Sequence, residues 1–272
     1  MRAPLLCLIV LALAPFACSA REPDQPSDGG TPSALGTGSR IRDLTRPLLG
    51  DPTDNIAPNP GHPTQNSSVY VTGASFLVKD VFDETMDGKS LGAIYVQDTG
   101  SQAPFSGIQL YETTYEPANI QFATGDVIDL TGAYQDYAYS GFPAGQSYPE
   151  LDKPIATFRF EYTAPAPVKI DINDLQVNTQ AQFDKGYQWL GMLVEVDNVS
   201  LVAALADDGK GRVSGPLITA GGSNAPTIAN QLYDLQTTAY PVGQKFTKII
   251  GIVTYFFNFQ ISPRSPADIV TE

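Results

Sequence analysis

The sequence predicts an all-β protein, and three observations lead there. Short runs of Val, Ile, Tyr, Phe and Thr recur between turn residues. No long run shows the 3.6-residue apolar period of an amphipathic helix. Gly (24) and Pro (22) are plentiful among the 272 residues. A chain of this length has room for one large β domain or two small ones.

The first element is an export signal over residues 1–17. Arg2 supplies the positive charge, and Leu5 to Ala14 (LLCLIVLALA) supplies an apolar run too short for a stable membrane anchor. Two cleavages fit the following "APFACSAREPD". A lipoprotein signal peptidase would cut before Cys18, leaving it to carry lipid such as palmitate. An ordinary signal peptidase would cut after Ala20. Ala17-Cys18 suits the lipobox of bacterial lipoproteins, whereas Pro15 and Phe16 match it poorly. Cys7 lies inside the signal, so Cys18 is the one thiol left in the mature chain and no internal disulfide can form. The expected location is therefore the bacterial cell envelope, lipid-anchored. Ser19 after the cysteine points to the outer membrane, and plain secretion is the alternative.

Residues 18–39 are rich in Pro, Gly, Ser, Thr and Asp and read as a disordered tether. Asp51 to Ser68 (DPTDNIAPNPGHPTQNSS) reads as a long loop, since no regular element tolerates that proline spacing. Strand signals then follow in order: "VYVTGASFLV" from Val69, "GAIYVQD" (Gly92–Asp98), "SGIQLYE" (Ser106–Glu112), "GDVIDLTGAY" (Gly125–Tyr134) and "ATFRFEY" (Ala156–Tyr162). The Pro-rich "TAPAPVKID" (Thr163–Asp171) is a joint. Beyond it, "GMLVEVDNVSLVAAL" (Gly191–Leu205) is a strong strand, "GRVSGPLI" and "TIANQLYDL" are weaker, and "KFTKIIGIVTYFFNFQI" (Lys245–Ile261) is a closing hairpin or strand pair. Residues 207–230 are too Gly-rich for firm strand assignments.

The halves share landmarks in the same order. "IRDL" (Ile41–Leu44) precedes the first opening strand and "INDL" (Ile172–Leu175) the second. "GDVIDLTG" (Gly125–Gly132) answers to "GQKFTKIIG" (Gly243–Gly251), and Tyr137 and Tyr255 follow the closing glycines. Two copies of one β module, 40–163 and 164–272, account for this better than one large sandwich. The Asp-Leu lead-in, valine-rich strand, "GAIYVQD", "GIQLY" and "GDVIDLTG" resemble OB-fold modules of bacterial extracellular proteins. Such modules accompany secreted nucleases and cell-surface lipoproteins. The resemblance covers roughly residues 41–272. It implies two tandem OB-like small β-barrels after the lipoprotein tether, with ligands expected across strands 2–3 and the loops beside them.

Charge and composition narrow the chemistry. Loss of residues 1–17 removes one of sixteen cations and none of the 29 acids, leaving a net charge of −14 with no dense basic run. Such a surface repels phosphate backbones, so nucleic acid is an unlikely partner. His62 is the one histidine, and it lies in the proline-rich loop. A Ser-His-Asp hydrolase would need that loop to reach a serine, and zinc sites want several His or Cys ligands. Neither phosphate-cradling nor dinucleotide glycine motifs occur. No catalytic residue, metal or cofactor is assigned, although two carboxylates could do acid–base work. "DETMDG" (Asp83–Gly88) starts like an EF-hand loop but has Ile94 where the bidentate Glu belongs, so a charged hairpin turn is the better reading. "DDGKG" (Asp207–Gly211) also reads as a turn.

One segment stands out. "TGAYQDYAYSGFPAGQSYPE" (Thr131–Glu150) holds five rings, Tyr134, Tyr137, Tyr139, Phe142 and Tyr148, among Gly, Ser, Gln and Pro. They form either a stacking platform or packing that closes a barrel mouth or joins the modules. Position predicts a split: Tyr134 and Tyr137 buried near the strand, and Tyr139, Phe142 and Tyr148 partly exposed. "TYFFNF" (Thr254–Phe259) reads as core. The function expected is non-catalytic binding of a surface protein or polysaccharide. Its rivals are an envelope nucleic-acid-binding OB protein and a carboxylate-dependent hydrolase.

Overall fold

The structure is a computed structural model, and it describes residues 36–50, 56–80, 93–111, 122–218 and 225–272. Cys18, the signal, most of the tether and the Asp83–Gly88 turn lie outside the described residues. The chain is mostly β, in two sheets, one of which closes on itself.

The closed sheet contains β1 (Ser68–Lys79), β2 (Ile94–Asp98), β3 (Gly107–Tyr111), β4 (Val127–Tyr137) and β5 (Tyr148–Phe160). They run in the order β1-β2-β3-β5-β4, and β4 pairs back onto β1. The β3–β5 pair is parallel and the other pairs are antiparallel. A bulge makes the closure possible. Gly73 takes φ +68°, and the β1–β4 register shifts between Val71 and Ala74. A left-handed glycine at a bulge bends β1 so that one strand serves two neighbours.

Alternation fills the ring. Ile94 and Val96 of β2 point inward with Val71, Ile108, Leu110, Ile128, Leu130 and Leu151. The short helix α1 (Ile41–Thr45) adds Ile41 and Leu44 to that core. Asp98, buried at the end of β2, anchors the helix. Its carboxylate accepts from the amides of Ile41 (2.8 Å) and Arg42 (3.0 Å) and from Arg40 Nε (3.2 Å). Residues 36–39, expected as free tether, lie along β1: Ser39 bridges Val71, and the Ser39 amide donates to the Tyr70 carbonyl.

The second sheet contains β6 (Val168–Lys169), β7 (Leu193–Ser200), β8 (Ala206–Asp207), β9 (Val213–Pro216), β10 (Thr227–Ala229), β11 (Lys245–Tyr255), β12 (Phe259–Ser262) and β13 (Ile269–Thr271). Its order is β6-β7-β11-β12-β10-β9-β8, with β13 also on β11. The β10–β12 pair is parallel. Past the ends of β7 and β9, Leu201 bridges Leu217, and the Val202 and Ile218 amides donate to the carbonyls of Pro216 (2.9 Å) and Ser200 (2.7 Å). The closing segment is the expected hairpin, β11–β12. "DDGKG" is a turn, with Asp207 accepting from the Gly209 and Gly211 amides.

The shared landmarks are helical turns. "IRDL" falls in α1 and "INDL" is a 3-10 turn, Ile172–Leu175. A second helix, α2 (Gln180–Tyr187), was not legible as a periodic pattern. It is eight residues long and buries only Phe183 and Gly186, while Thr179 caps its start by accepting from the Gln182 amide.

Each sheet draws its described strands from one side of residue 163, yet the two share a core. All five β2 side chains are buried, because inward residues fill the ring and the outward face of β2 and β3 is covered by the second half. Leu77, Ala93, Tyr95 and Tyr148 join Leu190, Met192 and Leu193 in one apolar cluster. The Leu193 amide donates to Gln97 Oε1 (3.1 Å), and the Phe105 amide donates to the Gln188 carbonyl (2.7 Å). All described residues fall in one compact unit.

Candidate functional site

The five rings of the aromatic segment split, though not as expected. Tyr134 (1% exposed) lies inside the ring, and Tyr148 (5%) is buried against the second half. Tyr137 (43%) and Tyr139 (46%) are exposed, and Phe142 is half-buried. So Tyr137 and Tyr148 exchange their expected environments. The reason is strand length. β5 begins at Tyr148 rather than at Ala156, which puts Tyr148 on a sheet face that the second half covers. Tyr137 ends β4 opposite Tyr148, at the mouth of the connecting loop.

The β4–β5 loop brings its rings to the β11–β12 turn. Phe142 meets Phe257 (5.2 Å between centroids, 90°) and Tyr255 (5.0 Å, 74°), and Tyr139 meets Phe257 (6.0 Å, 85°). Phe256 stands against Phe257 at 4.8 Å and 81°, and the Arg212 guanidinium lies 4.6 Å over the Phe256 ring. The reading of Thr254–Phe259 as core is corrected. Tyr255 and Phe259 are buried, but Phe256 (41%) and Phe257 (44%) are exposed at the turn. Phe257 takes φ +60°. A bulky side chain there costs about 1–2 kcal/mol, and glycine or asparagine would be the easy choice. Periodicity could not reveal this: four aromatics around one asparagine look like core until a three-residue turn, Phe256 to Asn258, flips the middle pair outward.

Behind the same loop lies a cleft of about 320 Å³. It is lined by Pro47, Leu48, His62, Asp136, Asp184 and Tyr187, among others. Asp136 organises it. Its Oδ1 accepts from the hydroxyls of Tyr134 (3.0 Å) and Tyr187 (2.7 Å), which ties β4 to α2. Burial raises the hydroxyl pKa values of both tyrosines, and the adjacent carboxylate adds to it.

His62, in the proline-rich loop, is held by contacts on three sides. Its Nδ1 lies 3.1 Å from the Arg46 carbonyl, its Nε2 lies 3.6 Å from Asp136 Oδ2, and its ring meets Tyr134 edge-on at 5.3 Å. Asn59, buried beside it, donates to the Asp43 and Arg46 carbonyls and pins the loop. Ser147 lines the same cleft. The arrangement differs from a serine triad, in which the carboxylate takes Nδ1 and the serine takes Nε2. Here a backbone carbonyl takes Nδ1, and Nε2 faces the carboxylate. Among the described residues, no three His, Cys, Asp or Glu side chains gather as a metal site.

Compared with known proteins, the chain matches no protein-family model and no curated protein sequence.

Proposed function

We propose that this chain is an exported, non-catalytic envelope lipoprotein, anchored through Cys18, whose two OB-like modules bind a surface protein through the Tyr139–Phe142–Phe256–Phe257 ring surface. The OB-like reading is supported by strand order. In the first half the ring runs first-second-third-fifth-fourth, with third and fifth parallel. In the second half β7, β9, β10, β12 and β11 repeat that order and the parallel third–fifth pair. The Leu201–Leu217 bridge lies where a second ring would close.

In both halves the loop between the fourth and fifth strands carries the exposed rings. The strand 2–3 face of the first module, the usual ligand face of the fold, is covered by the second module. Binding therefore falls to the paired loops.

The observation that favours a protein over a polysaccharide or nucleic acid is the ring geometry. Phe257 stands at 81–90° to each of its three aromatic neighbours. Rings edge-on to one another make a ridged surface that interdigitates with side chains, whereas a sugar or base needs a flat face. Exposed Phe and Tyr beside an Arg also form the composition of an interface centre. The acidic net charge opposes a nucleic-acid partner.

The test uses full-length protein in its native envelope, with a photocrosslinking p-benzoylphenylalanine in place of Phe256 or, as an off-patch control, Val270. A discrete protein adduct from position 256 alone, lost on adding Tyr139→Ala, supports the reading. Equal adducts from both positions, or polysaccharide binding that Tyr139→Ala abolishes, overturns it. Cys18→Ser should abolish fatty-acid labelling and membrane partition.

A further inference from the structure

We infer that the cleft between the β4–β5 loop and α2 binds a primary ammonium group on a short aliphatic stem. This reading is independent of the ring surface and of lipidation. The cleft, about 320 Å³, is at the small end of ligand pockets and suits a fragment of a few heavy atoms. Among the described residues, its lining carries the carboxylates Asp136 and Asp184 and the imidazole of His62, and no lysine or arginine.

Lys185, next to Asp184, reaches Asp174 instead, at 2.7 Å. Asp136 Oδ1 already accepts from Tyr134 and Tyr187, which fixes the carboxylate in place. Its Oδ2 lies 3.6 Å from His62 Nε2, beyond hydrogen-bond length, and a carboxylate oxygen has lone pairs for a further donor. Asp184 Oδ1 accepts from Gln180 Nε2 (2.7 Å), and Gln180 Nε2 also donates to the Gly145 carbonyl, which holds α2 against the loop.

Pro47, Leu48, Ile56 and Phe183 form the apolar wall. An acidic end beside an apolar wall recognises an organic cation. A bare divalent ion would want six or more oxygens around it. A compact ammonium offers three donors to carboxylates on two different elements, and its stem lies along the wall.

The experiment titrates full-length protein at neutral pH with n-butylamine, n-butanol and butyrate, following NMR signals of His62 and Tyr187. Saturable n-butylamine binding is expected with a Kd of about 1–10 mM, as befits so small a ligand. n-Butanol should bind at least about tenfold more weakly, because it cannot form charge-assisted hydrogen bonds. Asp136→Asn and Asp184→Asn should each weaken n-butylamine about tenfold, for the same reason. Asp184 is exposed on α2, so its variant stays readable even if Asp136→Asn disturbs folding. Comparing Nα-acetyl-lysine amide with 1,4-diaminobutane tells a partner's lysine from a free amine, the tighter probe naming the source. Equal binding of butanol, no saturable shift with n-butylamine, or indifference to Asp184→Asn overturns the assignment.

Discussion

Gly107 and Gly191 stand back to back across the two halves. A Cβ on Gly107 would lie 2.4 Å from the Gly191 carbonyl carbon, and one on Gly191 would lie 2.6 Å from the Ile108 amide nitrogen. Both obstacles are backbone and cannot swing aside. Gly191 also takes φ +72°, where only glycine is at ease. Gly107→Ala should therefore cost about 3 kcal/mol or more, at the upper end of overpacking, by prising the halves apart. Denaturant unfolding checks this. A midpoint equal to wild type would mean that the halves slide freely, and the shared core would lose its claim to hold them.

The Tyr187–Asp136 hydrogen bond links α2 to the ring, so Tyr187→Phe should cost about 1.5–3 kcal/mol, the usual worth of a hydrogen bond to a charged group. Tyr134→Phe should cost a similar amount. The double variant should cost more than the sum, because either hydroxyl alone still pairs the shared oxygen and only the double variant strips it of both donors. Strict additivity in a double-mutant cycle would show that they act independently.

Phe257 separates stability from binding. Phe257→Asn relieves the left-handed strain, so stability should stay within about 0.5 kcal/mol of wild type or rise, although the contact with Phe142 is lost. The same variant should weaken binding of the proposed protein partner. A large loss of stability would mean that the turn is packing rather than interface.

Alkaline pH should loosen the molecule. Burial raises the pKa of Tyr95, Tyr134, Tyr148 and Tyr187, and it pushes Tyr255 up to about 12. A tyrosine whose folded pKa lies above its unfolded value stabilises fully below that unfolded value, near 10, and loses this contribution as pH rises through the folded value. The unfolding midpoint should hold up to about pH 9.5 and then fall steadily toward pH 12. A flat midpoint across that range would show that these hydroxyls ionise as easily folded as unfolded.

The β character and the order of most strands were readable from residues alone, because a half-buried strand leaves a local period in the chain. "GAIYVQD", "GIQLY" and "GDVIDLTG" are strands where they were expected, and the closing hairpin is β11–β12. The reading of residues 1–17 as an export signal, and of Cys18 as a lipid anchor, rests on local patterns too and falls outside the described residues. What the tertiary structure decided depended on contacts between distant residues. Tyr148 is buried and Tyr137 exposed because the second half covers one face of β5. His62 reaches Asp136 because Asn59 pins its loop. Phe256 and Phe257 face solvent because a three-residue turn flips them out between Tyr255 and Phe259. None of these leaves a period in the sequence. A ring in a turn and a ring in a core are the same letter until a neighbour from elsewhere in the chain covers one and leaves the other open.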